Sequence, residues 1–101
     1  MSSAKKAEVI RVDTVDSVET KALRDLYDAV GWSVYTRDME SLRAAIAGSD
    51  LVVVVQQEGK LIGLARTISD DSSIAYIQDI LVAPPHQGRG VGRALVMAVL
   101  E

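Results

Sequence analysis

Apolar residues recur three and four positions apart in the first third of the chain, which is typical of a helix with one buried face. The recurring positions are Leu23, Leu26, Tyr27 and Val30. Asp16 and Glu19 stand at the spacing of a capping box, and Gly31 favours a left-handed helix end. The pattern therefore predicts a helix over about residues 17–30.

The segments on either side of this helix predict a strand before it and a second helix after it. Residues 7–12 alternate weakly around apolar positions, which indicates a short first strand. A second helical spacing begins at Met39 and is closed by Gly48. Between the two helices we expect a loop, and this loop carries Trp32, the only tryptophan, together with Tyr35.

The second half of the chain predicts three strands in succession. Residues 51–55 form an unbroken aliphatic run, which is typical of a strand covered on both faces. A short turn signal follows this run, so residues 51–68 are a predicted hairpin. Polar residues 70–73 predict another turn, and a third strand is expected over 74–82, where two prolines end it.

The last predicted element is a helix that follows a glycine-rich segment and is apolar nearly all round. Such a helix is expected to have cover on two sides. The sequence stops at Glu101 without a helix-ending residue. We therefore expect that the domain is truncated at its C-terminus or covered by another chain. Residues 1–6 are small, polar and charged and are expected to be disordered, which leaves one domain over 7–101.

Composition limits the classes of function. The 101 residues are 49% hydrophobic and 25% charged, with no cysteine, one histidine and a net charge of −3. These values exclude a disulfide framework and a thiolate metal site, and they argue against a nucleic-acid footprint. No apolar run reaches the roughly 20 residues of a membrane helix. We therefore expect a cytoplasmic domain of mixed helix and strand, with no metal, nucleic-acid or membrane partner.

Candidate chemistry is concentrated in residues 87–93, just before the last helix. The three glycines of this segment permit unusual backbone angles and a close approach by a ligand, and a helix start leaves several N–H groups unpaired. Arg89 and Arg93 flank the turn, and no acidic residue lies between Ile80 and Leu100. The segment therefore predicts a binding site for a phosphate-bearing ligand.

Two common nucleotide motifs fit this segment poorly. A P-loop requires a lysine followed by serine or threonine, and a dinucleotide fingerprint requires a third glycine where Arg93 stands. The run Gln87-Gly88-Arg89-Gly90-Val91-Gly92 instead matches the pattern Q/R-x-x-G-x-G/A. It resembles the signature of the GNAT superfamily of N-acetyltransferases, and the approaching strand and the order of elements are similar as well.

The resemblance implies a fold and a donor. The fold would be α+β of the three-layer, acyl-CoA N-acyltransferase type. Its sheet would be mixed but mainly antiparallel, in the order β-α-α-β-β-β-α, without the C-terminal strands of the family. The donor would be acetyl-CoA, with its pyrophosphate on the backbone of the glycine turn and its pantetheine arm along the preceding strand. The implied cofactor-binding residues are Ile80, Leu81, Val82, Gln87, Gly88, Arg89, Gly90, Val91, Gly92 and Arg93.

Candidate residues for the acceptor side are fewer. An acceptor amine must lose a proton, and a carboxylate or a water held by one can take it. Asp79 is the one carboxylate on the strand before the turn, so it is the candidate base, with a polar surface or capping role as the alternative. By resemblance, Trp32 and Tyr35 border the acceptor site, with loop packing as the alternative. Tyr76 is expected to pack in the core.

Three functions remain open from the sequence. The first is acetyl transfer from acetyl-CoA to a primary amine of a small molecule or peptide, by direct attack with a carboxylate or water as base. The second is a catalytically incomplete module that binds CoA or self-associates, for example as a homodimer that completes the sheet. The third is a general nucleotide-phosphate binder, which would bind ATP or NAD about as well as CoA.

Overall fold

The computed structural model describes residues 7–69 and 75–100. Within these ranges the strands are β1 (Glu8–Arg11), β2 (Leu51–Gln57), β3 (Lys60–Ser69) and β4 (Ala75–Val82). The helices are α1 (Thr20–Ala29), α2 (Ser33–Thr36), α3 (Met39–Ala47) and α4 (Val91–Leu100). Short 3-10 turns cover Val15–Ser17 and Pro84–His86. The α+β class and the predicted order of elements are confirmed, and the predicted interhelical loop contains α2. The predicted polar turn at 70–73 and the N-terminal residues 1–6 lie outside the described residues.

The four described strands form one antiparallel sheet in the order β1-β2-β3-β4. Glu58 and Gly59 both have positive φ, at 54° and 77°, and they make the tight turn of the predicted β2–β3 hairpin. The register between β3 and β4 shifts between Arg66 and Thr67, which is a β-bulge. Since β4 is last in the order, its outer edge has no neighbouring strand within 7–69 and 75–100.

Helices cover both faces of the sheet. Gly63 of β3 faces α4, because a Cβ added there would stand 2.9 Å from Val91 Cγ1. The missing side chain therefore lets α4 lie close against the strand. Arg66, an odd number of residues further along, faces the opposite side and reaches the carbonyl of Ala45 in α3. The side chains buried on the helical elements are Leu23, Leu26, Tyr27, Leu42, Ile46, Val91 and Leu95.

Two details of the helices differ from the predictions. The first helix begins at Thr20 and not near 17, because Thr14 caps a separate 3-10 turn and Arg43 holds the carbonyls of Val15 and Val18. The predicted capping box is therefore wrong, whereas the left-handed stop at Gly31 is confirmed by its φ of 85°.

The last helix has one covered face in the part of the chain that the structure describes. Val91 and Leu95 are buried against the sheet, whereas Met97 and Leu100 are 54% and 74% exposed. None of the helices in the described ranges is long and apolar enough to cross a lipid bilayer.

Candidate functional site

The glycine turn, residues 87–90, connects the second 3-10 turn to α4. Gly88 and Gly90 have φ values of 80° and 86°, in the left-handed region that side chains disfavour. A Cβ at either position would meet nothing within 4 Å, so backbone conformation and not space requires these glycines. Gly92 differs, because it lies in α4 without a positive φ and a Cβ there would be 3.7 Å from Val82 Cγ2. The expectation of unusual angles is therefore wrong for Gly92.

The start of α4 presents unpaired donors beside this turn. Ala94 donates to the carbonyl of Gly90 at 2.9 Å. The three preceding N–H groups, those of Val91, Gly92 and Arg93, have no acceptor within the helix. The side chain of Val91 is buried, so only its backbone can serve a ligand. The first turn of α4 contains no acidic residue. The arrangement attracts an anion.

The two arginines of the segment differ from Gln87 in what they contact. Arg89 and Arg93 are exposed, and neither takes part in an ion pair within the described residues. Gln87 folds back, and its Nε2 donates to the carbonyl of Val82 at 3.0 Å. Gln87 therefore ties the glycine turn to the end of β4, while the arginines remain available to a phosphate group.

The outer edge of β4 presents backbone groups next to the turn. Ala83 donates to the carbonyl of Ile62 at 2.9 Å, so Ala83 and Leu81 direct their N–H groups toward β3. The alternation of an antiparallel ladder then directs the N–H groups of Ile80 and Val82 away from β3. Leu81 is 1% exposed, and neither its backbone nor its side chain is presented at this edge.

Asp79 lies at the centre of a buried cluster of three polar side chains. Arg66 Nε donates to Asp79 Oδ2 at 2.6 Å, and the Tyr27 hydroxyl donates to the same oxygen at 2.9 Å. The exposed fractions of Arg66, Asp79 and Tyr27 are 5%, 3% and 0%. Arg66 Nη1 also donates to the carbonyl of Ala45 in α3 at 3.4 Å and to Oγ of Ser49, which follows α3, at 3.2 Å. The cluster joins α1, α3, β3 and β4.

Burial and charge in this cluster fix its ionisation. Burial raises the pKa of the Tyr27 hydroxyl far above its usual value of 10.0, and the negative charge and hydrogen bond of Asp79 raise it further. Burial alone would lower the pKa of Arg66, but the hydrogen bond and charge of Asp79 outweigh burial and raise it. Tyr27 is therefore a neutral donor and Arg66 a permanent cation at physiological pH.

A cleft of about 380 Å³ opens beside this cluster. Its lining residues are Gly31, Trp32, Val34, Tyr35, Gln78 and Asp79. The fold thus brings the predicted base and the two predicted acceptor-binding aromatics to one cleft. The expected core position of Tyr76 is wrong, because its side chain is 52% exposed. Its partner on β3 is Ile68, which is half-buried and lies next to the exposed end of that strand.

Comparison with known proteins identifies the family. The sequence profile described as the acetyltransferase (GNAT) family matches residues 15–101. The chain belongs to the GNAT acetyltransferase family. It is 36% identical over 99 residues to GCN5-related N-acetyltransferase 2, chloroplastic, of Arabidopsis thaliana; the match covers 78% of this chain and 38% of the relative.

Solved GNAT structures confirm the predicted fold. A GNAT-family acetyltransferase from Streptococcus pneumoniae superposes with a TM-score of 0.76 at 26% identity, over 94% of this chain and 66% of that one. The aminoglycoside N-acetyltransferase AAC(6')-Iy, solved with CoA, superposes with a TM-score of 0.75 at 17% identity, over 99% and 70%. This chain therefore has the acyl-CoA N-acyltransferase-like fold and spans well under half the length of its Arabidopsis relative.

Two members of the site of this GNAT chain, Tyr27 and Arg66, are not predicted by the sequence pattern. The helical pattern predicts Tyr27 only as a member of a buried helix face, and no role is predicted for Arg66. A usable signal existed for Arg66, which stands at a core-facing position within an otherwise apolar strand. A buried cation requires a partner. No comparable signal marks the hydroxyl of Tyr27, because its ring alone explains its place in the helical pattern.

Proposed function

We propose that this chain forms the acetyl-CoA-binding region and part of the amine-binding region of an N-acetyltransferase. The reaction is transfer of an acetyl group to a primary amine of a small molecule or peptide. The observation that carries the proposal is the juxtaposition of the glycine turn, the start of α4 and the outer edge of β4. Family membership and the CoA complex of the aminoglycoside enzyme support acetyl-CoA as the donor.

The residues around the turn fit the pyrophosphate of acetyl-CoA. The N–H groups of Val91, Gly92 and Arg93 are the proposed donors to the phosphate oxygens. The open space around Gly88 and Gly90 allows a close approach to the backbone. The exposed side chains of Arg89 and Arg93 add positive charge, while Gln87 fixes the turn against β4.

The outer edge of β4 fits the pantetheine arm, which carries amide groups. The proposed contacts are the N–H groups of Ile80 and Val82, together with the carbonyl of Ile80. The carbonyl of Val82 already accepts from Gln87. Leu81 is left out because it faces β3. When bound, acetyl-CoA supplies the activated thioester, and an N–H directed at its carbonyl oxygen would favour attack by an amine.

The acceptor amine is proposed to enter the cleft between Trp32, Tyr35 and Asp79. Asp79 is the proposed base, acting directly or through a water. Both of its hydrogen bonds end on Oδ2, so the proton would be accepted by Oδ1. We expect Asp79→Asn to lower the turnover of the amine about 10²- to 10⁴-fold, as is typical when a general base is removed.

Calorimetric titration with acetyl-CoA tests the proposal most directly. An aspartate at position 92 would place a negative charge among the proposed phosphate donors, yet it would favour the helix start through the helix dipole. We expect Gly92→Asp to weaken binding at least about tenfold, a loss of about 1.4 kcal/mol in binding free energy. Gly92→Asn is the matched neutral control and is expected to bind more tightly than the aspartate. Equal affinities of wild type and Gly92→Asp would contradict the proposal.

A second function keeps some support from the outer edge of β4. Tyr76, Ile77 and Ile80 are 52%, 36% and 37% exposed beside this unpaired edge. An edge of this kind can pair with another chain. A module that binds CoA and associates through β4 would form dimers in sedimentation experiments, and sedimentation as a single chain would argue against this association. Competition of ATP and NAD against CoA tests the third function, that of a general nucleotide-phosphate binder.

The cytoplasmic location stays a prediction, since the Arabidopsis relative is chloroplastic by name.

A further inference from the structure

Tyr27 is fully buried, and it contacts the acceptor cleft from behind without lining it. Its exposed fraction is 0%, and it is absent from the six lining residues of the cleft. Its hydroxyl and its ring make two independent sets of contacts. The hydroxyl contacts lead to the strand floor of the cleft, formed by Gln78 and Asp79 of β4. The ring contacts lead to the aromatic wall of the cleft, formed by Trp32 and Tyr35.

The hydroxyl set connects α1 to the rest of the fold through one oxygen atom. Tyr27 and Arg66 both donate to Asp79 Oδ2, at 2.9 Å and 2.6 Å. Arg66 Nη1 also donates to the carbonyl of Ala45 in α3 and to Oγ of Ser49, which follows that helix. In a buried site such charge-assisted bonds are stronger than surface bonds and hold their donors at fixed positions. The hydrogen-bonded link between α1 and β4 therefore passes through this oxygen.

The ring set orients the two aromatic residues of the cleft. The ring centroid of Tyr27 lies 6.0 Å from that of Trp32 and 5.5 Å from that of Tyr35, with interplanar angles of 62° and 65°. Both are edge-to-face arrangements, which are favourable for aromatic pairs. The carbonyl of Tyr27 also accepts from the N–H of Trp32 at 2.9 Å. The aromatic wall is therefore built on Tyr27.

We propose that Tyr27 is a positioning residue of the acceptor cleft, which holds the aromatic wall of Trp32 and Tyr35 at a fixed distance from Asp79. Without the hydroxyl, α1 loses its bond to β4 while the ring contacts remain. The wall then moves relative to the strand floor, and the cleft loses its defined width. Tyr27 is not among the proposed acetyl-CoA contacts, which are the glycine turn, the start of α4 and backbone groups of β4, so the binding of acetyl-CoA is expected to be unaffected. The catalytic part of this inference rests on the proposed function, but the geometric part does not.

The fluorescence of Trp32 tests the geometric part without any activity. Trp32 is the only tryptophan of the chain, so quenching by acrylamide reports on the cleft alone. Tyr27→Phe removes the hydroxyl and keeps the ring, and Tyr76→Phe is the matched control at an exposed tyrosine. We expect the quenching constant to rise about twofold in Tyr27→Phe, because a loosened wall opens locally. Tyr76→Phe should match wild type.

Kinetics with a series of n-alkylamines and a lysine-containing peptide test the catalytic part. We expect the KM for the amine to rise about fivefold in Tyr27→Phe, while the KM for acetyl-CoA stays within about twofold of wild type. An equal rise of both values would overturn the proposal, since it indicates general loosening of the fold. Unchanged quenching of Trp32 would overturn it as well.

A second variant and a fallback readout keep the test decisive. Arg66→Lys keeps a cation beside Asp79 but loses the planar donor geometry, so it should raise the quenching of Trp32 in the same direction. It decides the question if Tyr27→Phe does not fold. If wild type acetylates none of the amines, the proposed function fails for this chain. The quenching comparison then supports or overturns the positioning role by itself.

Discussion

The glycine turn follows the end of β4, whereas the cluster of Tyr27, Asp79 and Arg66 is centred on a residue within that strand. The two regions are built in opposite ways. The turn uses consecutive residues, exposed positions and mainly backbone groups. The cluster uses buried side chains whose donors stand 52 and 13 positions from Asp79 in the sequence. Substitution of exposed side chains around backbone donors changes the free energy of unfolding little, whereas substitution within a buried charged cluster lowers it strongly. The two regions should therefore separate under mutation, with binding lost at one and stability lost at the other.

Breaking the buried ion pair should give the largest effect on stability. Asp79→Leu leaves the Arg66 cation buried without its partner, and we expect a loss of about 3–5 kcal/mol in the free energy of unfolding. The triple variant Tyr27→Phe/Arg66→Met/Asp79→Leu removes every polar member together. We expect it to recover to within about 1–2 kcal/mol of wild type, because apolar replacement of a buried triad is often neutral. Urea denaturation measures both.

The binding of acetyl-CoA supplies the other half of this test. The triple variant should bind acetyl-CoA with the affinity of wild type, since none of its three side chains is a proposed acetyl-CoA contact and the contacts proposed on β4 are backbone groups. Recovery of stability together with loss of acetyl-CoA binding would show that the two regions are coupled, and the contrast between them would then fail.

Alkaline pH attacks the cluster without a mutation. The pKa of Tyr27 is raised in the folded state, so its contribution to stability is complete below its unfolded value of about 10 and is lost as pH rises above it. We expect the free energy of unfolding to fall by up to about 1.4 kcal/mol for each pH unit above 10. Tyr27→Phe has no hydroxyl to ionise at this position, so its free energy of unfolding should fall less steeply between pH 10 and 12. Parallel curves for the two proteins would show that Tyr27 ionises without cost in the folded state.

The contrast between the regions also explains what could be predicted from sequence. Local periodicity and runs of a few residues determine the predicted helices, the hairpin and the glycine turn. The structure contains each of these elements in the predicted order. The helix at Thr20 began later than expected, because Arg43 holds the preceding turn from another helix. The cluster depends on which strands pair and which faces meet. Arg66 meets Asp79 only through the register of β3 and β4, and that register includes a bulge.

Two glycines of this segment differ in backbone conformation, Gly90 in the glycine turn and Gly92 in α4. Gly90 has a φ of 86°, so Gly90→Ala should cost about 1–2 kcal/mol in stability. Gly92 lies in α4, and Gly92→Ala should be neutral or stabilising by up to about 1 kcal/mol, because alanine is the better helix former. Thermal unfolding of both variants distinguishes them, and equal effects would argue against the left-handed conformation at Gly90. Acetyl-CoA titration of Gly92→Ala then reports on steric access without a change in charge.

The smallest effect is expected at Asp38, which is the exposed counterpart of the buried Asp79. Asp38 caps α3 by accepting hydrogen bonds from the N–H and hydroxyl of Ser41, at 3.1 Å and 2.8 Å. The side-chain bond from Ser41 lowers the pKa of Asp38 below 3.8, with the backbone bond as the next cause. A lowered pKa contributes stability above its unfolded value, and this contribution disappears as pH falls through the folded value.

Asp38→Asn keeps a good capping residue but has no carboxyl that can be protonated, so it isolates the contribution of the Asp38 charge to stability. We expect wild type to be slightly more stable than Asp38→Asn at pH 6, and the difference to vanish well below pH 3.8, where the carboxyl is protonated in both states. Solvent screening keeps the stability change at Asp38 far below the change expected at Asp79. Both aspartates accept two side-chain or backbone hydrogen bonds, so the difference between them is burial. If Asp38→Asn instead destabilised the protein as strongly as Asp79→Leu, burial would not be what separates the two carboxylates. The contrast between an exposed backbone site and a buried charged cluster would then lose its physical basis.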